Sequence, residues 1–586
     1  MADPTPFLHS HVCTVAPGTT VVYTAGQIGM DKGYKIPEND EEQVVLALEN
    51  LRKCLEAAGA TTRDIVKVTF YVVAENPIAH PSARLLAAFL NGHRPTSVCV
   101  PLPSLSTPGV KFEVEAIAAV RSLVDHKPLS WTFPPALTDV IVVGAGLSGL
   151  QAAYDIQKSG LSCVVLEARD RVGGKTYSIP QANGRGIIEA GGAWINDTNQ
   201  SKVSSLAKRF GLEFVIQTME GDSIMHEPGR PGQRFPNGQL PENLGLEAIT
   251  EIASLFARLE ELSLTSDITK DNSKHDDITL EEFIQVEGCG ATAVANAAIL
   301  TRALLALEPS EISALYFIMY CKNAGGLERL MSDGVGGGQY MRIRQGAQAI
   351  AEGLNSSLIP GSVHLSTPAT AIIQRESGLL VEIDSGVRLR CKKVVVSIPT
   401  PLYSTIAFDP PLSDHKLQYS SRTKLGELSK IILVYDQPWW RARGLSGVSQ
   451  SSLGPICATR DSSIDQDQHY SLTCWVSGEP ARQWSKLPQE DRLQRVLGQI
   501  EDMFGDTIPV PIQILEKEWK KDVWSKGGPC PTTPPGILSV HGHALSMSER
   551  DIHFVGTETA EVWTGYMEGA LRSGARGAEE VIKSLL

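Results

Sequence analysis

The sequence of 586 residues predicts an α/β protein in two modules: a small N-terminal α+β domain, and a Rossmann-type domain interleaved with a second α+β domain. The first observation is the apolar run from Val140 to Val143, which is typical of a parallel strand buried on both faces. The second is helical spacing of apolar residues over 41–58. The third is residues 121–138, which contain three prolines and no sustained periodicity, and therefore predict a linker.

The N-terminal module covers residues 1–120. Its predicted helix spans residues 41–58, where the apolar positions fall on one face. Residues 21–25, 65–73 and 112–120 are rich in β-branched residues and predict strands. One helix against a few strands gives a small α+β domain.

A glycine motif opens the second module. Gly144-x-Gly146-x-x-Gly149 turns the predicted strand into a helix, and such glycines let the backbone approach a pyrophosphate at the helix N-terminus. Glu167 ends the next apolar run, about 20 residues further on, where a ribose-binding carboxylate is expected. The segment 171–175, RVGGK, resembles the second glycine motif of FAD proteins. The predicted cofactor is therefore FAD.

The second module predicts two interleaved domains, because strand-rich segments alternate with long helix-rich insertions. An active site between them is expected. The FAD-binding domain is predicted over residues 139–225, 337–399 and 524–586, and the substrate domain over residues 226–336 and 400–523.

Composition narrows the class of protein. A net charge of −13 and a pI near 5.6 leave no basic stripe for nucleic acid. No apolar stretch approaches the roughly 18 residues of a membrane span, and the N-terminus lacks the blocks of a signal peptide. The ten cysteines include no CxxC pair, which favours free thiols in a reducing compartment. We expect a cytoplasmic protein, and the terminal Ser584-Leu585-Leu586 leaves a peroxisomal address open.

The N-terminal module resembles the reactive-intermediate deaminase (YjgF-type) family, whose trimeric members hydrolyse imines and enamines. The resemblance rests on Thr24 to Ile28, the helix NLRKCLEAAGA, and Phe112 to Ala116. Glu115 matches the family's water-positioning glutamate, but Thr96 stands where the family has a carboxylate-binding arginine. Since threonine carries no charge, the family's acidic substrates are in doubt. Imine hydrolysis and an oligomerising role both remain open for this module. We expect copies of the chain to form a homo-oligomer through it.

Several segments of the second module resemble flavin monoamine oxidases. They are LEARDRVGGKT, EAGGAWIND, GGGQYMR, LSKIILVYDQPWW and HFVGTETAEVWTGYMEGALRSGARGA. Together with the N-terminal module, LTRALLALEPSEIS and DGVGGGQYMR are similar to the fungal amine oxidases that deaminate fumonisin-type amino polyols. The resemblance implies oxidation of a primary amine by FAD and oxygen to an imine, then to a carbonyl, ammonia and hydrogen peroxide.

The resemblance also implies site residues. Lys430, in a strand-like apolar segment, matches the family lysine that holds water against the flavin, and Tyr566 matches one wall of an aromatic cage for the amine. Met331 and Gln339 match residues of the substrate path, and Cys530 falls at the opposite cage wall. Because that cysteine is displaced by one residue from the segment that binds FAD covalently in mammalian-type enzymes, we expect non-covalent FAD.

The predicted cofactor-binding residues extend over the three FAD segments. Lys175 follows the glycine pair of the RVGGK segment, where the family usually has arginine. Lysine keeps the positive charge of arginine but cannot make two parallel hydrogen bonds to one ligand group. No metal ligands are predicted. The full cofactor set is Gly144, Ala145, Gly146, Ser148, Gly149, Glu167, Ala168, Arg169, Gly174, Lys175, Gly192, Ala193, Trp194, Ala369, Thr557, Glu558 and Met567.

Other functions remain open from the sequence. A polyamine or L-amino-acid oxidase would share the fold, although an amino-acid oxidase needs an arginine for the substrate carboxylate, and none stands out. A flavoprotein desaturase or isomerase would make no peroxide, and Lys430 and the YMEG segment argue against it. A non-enzymatic scaffold, assembled through the first module, is the remaining alternative.

Overall fold

The computed structural model describes residues 19–121 except 32, 34, 59, 75–79 and 91–92, and residues 137–586 except 182, 230–231, 238, 240, 242–243, 267–273 and 506–507. These two stretches form two separate compact units. The predicted linker, residues 121–138, lies almost wholly outside the described residues.

The first unit is an α+β domain with one mixed sheet. Asn39 caps the first helix, since its side chain accepts from the amides of Glu41 and Glu42. The predicted helix and three predicted strands are confirmed within two residues at each end. The elements are β1 Thr19–Tyr23, β2 Gln27–Ile28, α1 Asp40–Ala57, β3 Ile65–Val72, α2 Ser82–Leu90, β4 Thr96–Pro101 and β5 Phe112–Arg121.

The sheet of this unit has the order β1-β5-β3-β4, with β2 also on β5. Strand β5 is antiparallel to β1 and β3, whereas β3 and β4 are parallel. The core lies between α1 and the sheet, where Leu51 and Leu55 meet Val68 and Val114. Burial of these side chains stabilises the domain by about 1.5–3 kcal/mol each.

The second unit, residues 137–586, combines several sheets with helices. Its strands are β6 Thr138–Val143, β7 Cys163–Leu166, β8 Ser178–Pro180, β9 Ile187–Glu189, β10 Trp194–Ile195, β11 Phe214–Ile216, β12 Asp222–His226, β13 Gln233–Pro236, β14 Met341–Ile343, β15 Val363–His364, β16 Ala369–Arg375, β17 Gly378–Ile383, β18 Arg388–Val396, β19 Ala407–Asp409, β20 Lys424–Gly426, β21 Leu428–Tyr435, β22 Leu445–Ser451, β23 Ile456–Asp461, β24 Tyr470–Ser477, β25 Gln513–Glu518, β26 Gly528–Thr532 and β27 Ile552–Phe554. Its helices are α3 Leu147–Lys158, α4 Ser201–Arg209, α5 Leu246–Thr265, α6 Leu280–Val286, α7 Ala291–Leu305, α8 Ala314–Ala324, α9 Leu327–Met331, α10 Gln348–Ser356, α11 Asp414–Arg422, α12 Trp439–Ala442, α13 Gly478–Trp484, α14 Gln489–Phe504, α15 Leu538–His541 and α16 Met567–Leu585.

The sheet that carries the glycine motif has the order β15-β7-β6-β18-β17-β16-β19, with β27 also on β18. Its centre is parallel, since β6 pairs in parallel with both β7 and β18. Helices α3, α10 and α16 bury their apolar faces against β6, where Val140 and Val142 have no exposed surface. The predicted α/β class and its parallel strand after the linker are confirmed.

A second large sheet has the order β13-β12-β22-β23-β24-β21-β25. Strand β21 lies between β24 and β25, and all eight of its residues are buried. Trp439 and Trp440 pack against this sheet with Trp484. A charged residue on β21 must therefore be paired or face a polar cavity.

Two strands differ from the predicted domain boundaries. Strand β12 crosses the predicted boundary at residue 225 and pairs with β13 and β22 of the second sheet. Strand β19 follows the predicted boundary at residue 399, yet it pairs with β16 of the sheet that carries the glycine motif. Pairing across long insertions leaves no local signal in the sequence, so the division into interleaved domains stays a prediction. Within the described ranges, every helix is too short or too polar to cross a lipid bilayer.

Candidate active site

A cavity of about 910 Å³ lies in the second unit, where the glycine turn, β21 and the start of α16 converge. Most of the predicted site residues lie on its wall, although they come from segments far apart in the chain. The predicted residues on the wall are Gly144, Gly146, Ser148, Glu167, Ala168, Arg169, Gly174, Lys175, Gly192, Ala193, Trp194, Met331, Gln339, Ala369, Lys430, Thr557, Glu558, Tyr566 and Met567. Ala145, Gly149 and Cys530 do not lie on it.

The glycine turn between β6 and α3 forms one end of the cavity. Gly144 has a φ of +103°, which L side chains rarely adopt, and a Cβ on Gly149 would lie 2.0 Å from the Gly144 carbonyl oxygen. Gly149 therefore packs the helix against the turn and does not face the cavity. A Cβ on Gly146, in contrast, would meet no atom within 4 Å. Gly146 is the N-cap of α3, so a ligand phosphate can reach the helix N-terminus there.

Glu167 follows β7 and is 4% exposed. Its carboxylate accepts from the amides of Ala145 (2.6 Å) and Arg169 (2.9 Å). Ala145 was predicted to bind the cofactor, but its side chain is buried and its amide holds Glu167 instead. The Arg169 guanidinium is fixed by Asp522 (2.6 Å) and Ser525 (2.8 Å). A buried acid held in this way fits a ribose at the end of the second parallel strand.

Lys175 lies on the wall beyond the second glycine motif. Its Nζ donates to the Pro529 carbonyl oxygen at 2.9 Å. Burial lowers the pKa of Lys175, although the negative charge of Glu558 opposes the shift. The neighbouring Arg171 donates to three carbonyl oxygens of its own loop and lies 4.0 Å from the ring centroid of Tyr177. Arg171 therefore holds the loop, and the Lys175 amine is the basic group that lines the cavity.

Lys430 is a buried cation on the central strand β21. Its Nζ donates to the carbonyl oxygens of Gly191 (2.6 Å) and Glu189 (3.2 Å). It also lies 5.3 and 5.7 Å from the rings of Trp194 and Trp475, whose centroids are 5.3 Å apart. Burial lowers the pKa of Lys430 to about 8, against the opposing effect of the Glu189 charge. The amine therefore lies on the cavity wall and loses its proton more readily than an exposed lysine does.

Glu189 does not line the cavity but positions Lys430 through its carbonyl oxygen, and the sequence reasoning missed it. Its carboxylate is buried and accepts from the Ala347 amide (2.5 Å) and the Ser178 hydroxyl (2.8 Å). Burial raises its pKa, while these hydrogen bonds and the Lys430 cation act against the rise. An acid inside the apolar strand that precedes the GGAW segment was the available signal.

Tyr566 is the N-cap residue of α16 and packs its ring against Trp563, with centroids 4.8 Å apart. Its hydroxyl accepts from the Gln339 amide at 3.3 Å, and its carbonyl accepts from Thr557 at 2.9 Å. Burial raises the pKa of Tyr566, so its phenol is neutral at physiological pH. Tyr566, Gln339 and Lys430 all contribute to the same cavity wall, as the sequence predicts.

The position of Cys530 differs from the sequence prediction, which placed it at the cage wall opposite Tyr566. It lies on β26 with no exposed surface, and its Sγ is 3.8 Å from the Tyr316 hydroxyl. Its neighbours Gly528 and Pro529 line the cavity instead. Because side chains alternate across a strand, a shift of one residue moves the thiol behind the wall. Burial raises the pKa of the Cys530 thiol to about 12.

Part of the cavity lining, here called the side arm, combines apolar and polar side chains. Helices α5 and α7 provide its apolar side chains, which include Phe256, Ile299 and Leu304. Polar uncharged side chains also line this arm, and they are Ser332, Asn237, Gln239, Asn296 and Gln450. The ion pair between Asp333 and Arg460 lies on the same wall, and the sequence reasoning missed it. Among the described residues, no cluster of His, Cys, Asp and Glu could hold a metal ion.

Comparisons with known proteins agree with this geometry. Residues 147–582 match the family described as Flavin containing amine oxidoreductase, and residues 8–120 match the family described as Endoribonuclease L-PSP. The probable flavin-containing monoamine oxidase A of Dictyostelium discoideum is 33% identical over 453 residues, which cover 77% of this chain and 98% of that protein. The flavin-containing amine oxidase B of Homo sapiens is 30% identical over 460 residues, which cover 76% and 86%.

Solved structures give the same result. A putrescine oxidase bound to putrescine has a TM-score of 0.71 at 26% identity and covers 76% of this chain and 99% of its own. The cyclohexylamine oxidase from Brevibacterium oxydans IH-35A has a TM-score of 0.72 at 27% identity and covers 77% and 100%. The glycine turn, the buried Glu167 and the open space at Gly146 fit a dinucleotide cofactor. The chain therefore belongs to the flavin-containing amine oxidase family, and its cofactor is FAD.

Proposed function

We propose that the enzyme oxidises the primary amine of a long, hydroxylated carbon chain, such as an amino polyol of the hydrolysed fumonisin type. The observation that carries the proposal is the side arm, whose apolar helical wall and polar uncharged side chains form one cavity with Lys430 and Tyr566. A chain with methylene groups on one side and hydroxyl groups on the other buries its apolar surface and keeps its hydrogen bonds in such an arm.

In this proposal, the protein's residues hold and orient the reactants. Gly146 and the start of α3 receive the pyrophosphate of FAD, Glu167 binds the ribose, and Lys175 approaches the flavin end. FAD, when bound, supplies the two-electron chemistry. Tyr566 orients the neutral amine with its aromatic face and excludes water, and Gln339 fixes the Tyr566 hydroxyl. Lys430 holds a water molecule at the reacting end of the cavity.

The first test is anaerobic reduction of the bound flavin. We expect long-chain amines, among them hydrolysed fumonisin, to bleach the yellow enzyme within seconds, because the side arm buries their methylene groups. Short amines are expected to react at least tenfold less efficiently per two methylenes lost, at about 0.8 kcal/mol each. Stopped-flow absorbance and peroxide release in air measure the effect. A flavin that no amine reduces would contradict the proposal.

We propose further that FAD is held without a covalent bond, since the Cys530 thiol is buried behind the wall. Acid precipitation is expected to leave a white pellet and a yellow supernatant. The Cys530→Ala variant is expected to keep its FAD content, because the thiol that it removes is not part of the cavity wall. A yellow pellet from the unmodified enzyme and a white one from the variant would establish a covalent link.

For the N-terminal unit we propose assembly of copies rather than imine hydrolysis. Thr96 carries no charge, and its hydroxyl is already bonded to the Val66 carbonyl oxygen at 2.8 Å. Tyr23 is 75% exposed and Val98 48%, on the outer strands β1 and β4 of the sheet. Exposed apolar side chains of this size favour burial in a protein interface.

Removal of residues 1–120 is expected to reduce the oligomer to a monomer without changing the rate of flavin reduction. Light scattering coupled to gel filtration gives the mass, and stopped-flow absorbance gives the rate. The Tyr23→Ser variant of the full chain should shift the mass in the same direction. If the shortened chain keeps its oligomeric mass, the interface lies in the second unit.

A further inference from the structure

The side arm contains the ion pair of Asp333 and Arg460, whose hydrogen-bonding capacity is only partly used. Arg460, on β23, donates to one carboxylate oxygen of Asp333 and to no other described acceptor. Asp333 is 8% exposed, and its Oδ1 accepts from no described donor. Both residues lie on the cavity wall. A buried acceptor without a donor costs about 1–3 kcal/mol, so a ligand that supplies the donor would recover this energy.

The pair lies close to the amine-binding end of the cavity. Asp333 follows Ser332, whose carbonyl oxygen accepts from the backbone N–H of Gln339 at 3.2 Å. Gln339 in turn donates to the Tyr566 hydroxyl, and its own Oε1 also lacks a described donor. Burial raises the pKa of Tyr566, and the positive charge of Arg460 opposes that rise, as expected of a nearby cation. The ion pair is therefore a neighbour of the aromatic residue that orients the amine.

We propose that Asp333 and Arg460 together bind a hydroxyl group of the substrate near its reacting amine, and so select amino alcohols over diamines and amino acids. The inference rests on the proposed function and names the specificity residues of the same site. A hydroxyl both donates and accepts one hydrogen bond. It donates to the Asp333 carboxylate and accepts from a free Arg460 N–H. Since a carboxylate turns easily about its Cβ–Cγ bond, either oxygen serves.

Charged groups fit this pair less well. A second ammonium, as in a diamine, is attracted by Asp333 but repelled by Arg460, and it offers Arg460 no acceptor. A carboxylate, as in an amino acid, is attracted by Arg460 but repelled by Asp333. The pair is neutral as a whole, so neither ion gains from its net charge. The neutral hydroxyl alone uses both partners at once.

The test compares octylamine with the aminooctanols that carry a hydroxyl at successive carbons. With the FAD-loaded enzyme, at least one aminooctanol is expected to exceed octylamine in kcat/KM by roughly tenfold, the usual effect of a hydrogen bond to a charged group. This ratio is expected to fall close to one in Asp333→Asn and in Arg460→Gln. Equal kcat/KM values for all hydroxyl positions in the unmodified enzyme would overturn the proposal.

The two variants should also change charge selectivity in opposite directions. Asp333→Asn leaves the Arg460 charge unbalanced, so the ratio of kcat/KM for 2-aminooctanoic acid over 1,2-diaminooctane, whose second charge lies next to the reacting amine, is expected to rise about tenfold. Arg460→Gln is expected to lower the same ratio about tenfold. A merely structural role would move both variants in the same direction, and that result would overturn the proposal.

Matched controls come from the exposed ion pair of Glu382 and Arg388, which lies on β17 and β18 and away from the cavity. Glu382→Gln and Arg388→Gln make the same charge changes and are expected to leave both ratios unchanged. Failure of the proposal is distinguishable from failure of the proposed function. If octylamine reduces the flavin but no ratio depends on Asp333 or Arg460, only the hydroxyl site is wrong; if no amine reduces the flavin, the amine oxidase function fails.

Discussion

Replacement of Lys430 by Met is expected to slow reoxidation of the reduced flavin by oxygen roughly 100-fold or more, which is the usual effect of removing one preorganised donor. FAD is expected to remain bound, because Lys430 is not among the residues proposed to hold the pyrophosphate and ribose, and its Nζ bonds only to the carbonyl oxygens of Glu189 and Gly191 among the described residues. Reoxidation is expected to slow because the Lys430 Nζ group, held by the carbonyl oxygens of Gly191 and Glu189, places a proton donor and a positive charge at the cavity wall. Stopped-flow mixing of the reduced enzyme with oxygen measures the rate.

The pH dependence gives a second readout of the same change. Burial lowers the pKa of Lys430 to about 8, with Glu189 raising it and Arg342 lowering it further. Below this pH the ammonium is charged and stabilises negative charge that develops on oxygen. The reoxidation rate is therefore expected to fall as the pH rises through about 8. In Lys430→Met this transition should be absent, since the titrating group is gone.

Lys416 provides a matched control for the loss of a buried lysine. It is 1% exposed, and its Nζ donates to the carbonyl oxygens of Ala544 (2.7 Å), Leu545 (3.2 Å) and Met547 (2.8 Å). Lys416→Met leaves buried acceptors without donors, as Lys430→Met does, at a cost of about 1–3 kcal/mol in the free energy of unfolding. Reoxidation should be unaffected, because Lys416 does not line the cavity. Equal slowing in both variants would mean that stability, not chemistry, explains the effect.

The fold elements and cavity positions that the sequence predicted are those with a local signal. Val140 to Val143, the glycine turn and Glu167 lie within one strand-helix-strand unit, so their spacing alone predicts where they lie in the fold. Lys430 and Tyr566 were recognised because each stands inside a contiguous family segment. The apolar surroundings of Lys430 also required a polar cavity or a partner, and the structure supplies both.

The parts that the sequence missed depend on tertiary contacts. Asp333 and Arg460 are 127 residues apart, and neither belongs to a motif, so nothing local joins them. Cys530 was placed by counting along the chain, which does not tell which face of β26 a side chain occupies. Strand β19 pairs with β16 at one edge of the sheet that carries the glycine motif, and β16 lies far from β19 in any local sequence pattern. Pairing partners across insertions are set by packing rather than by local pattern.

Replacement of Gly146 by Leu is expected to abolish FAD binding without unfolding the protein. Gly146 has a φ of −72°, which any residue adopts, and a Cβ there meets no protein atom within 4 Å. The leucine side chain would thus occupy the space over the N-terminus of α3 that the pyrophosphate needs. We expect a colourless protein with at least 100-fold weaker FAD affinity and about 2.7 kcal/mol less ligand-dependent stabilisation.

Gly498 is the matched control, since it lies within α14 and its Cβ would also meet no atom within 4 Å. Gly498→Leu is expected to purify yellow, with unchanged FAD affinity. Circular dichroism of Gly146→Leu should match that of the native apoprotein, because a Cβ at this position meets no protein atom within 4 Å and the side chain extends into the cavity space. Titration with FAD tests the placement of the cofactor, because a yellow Gly146→Leu protein would mean that the pyrophosphate lies elsewhere. An unfolded Gly146→Leu protein in circular dichroism would mean that Gly146 is needed for the turn itself.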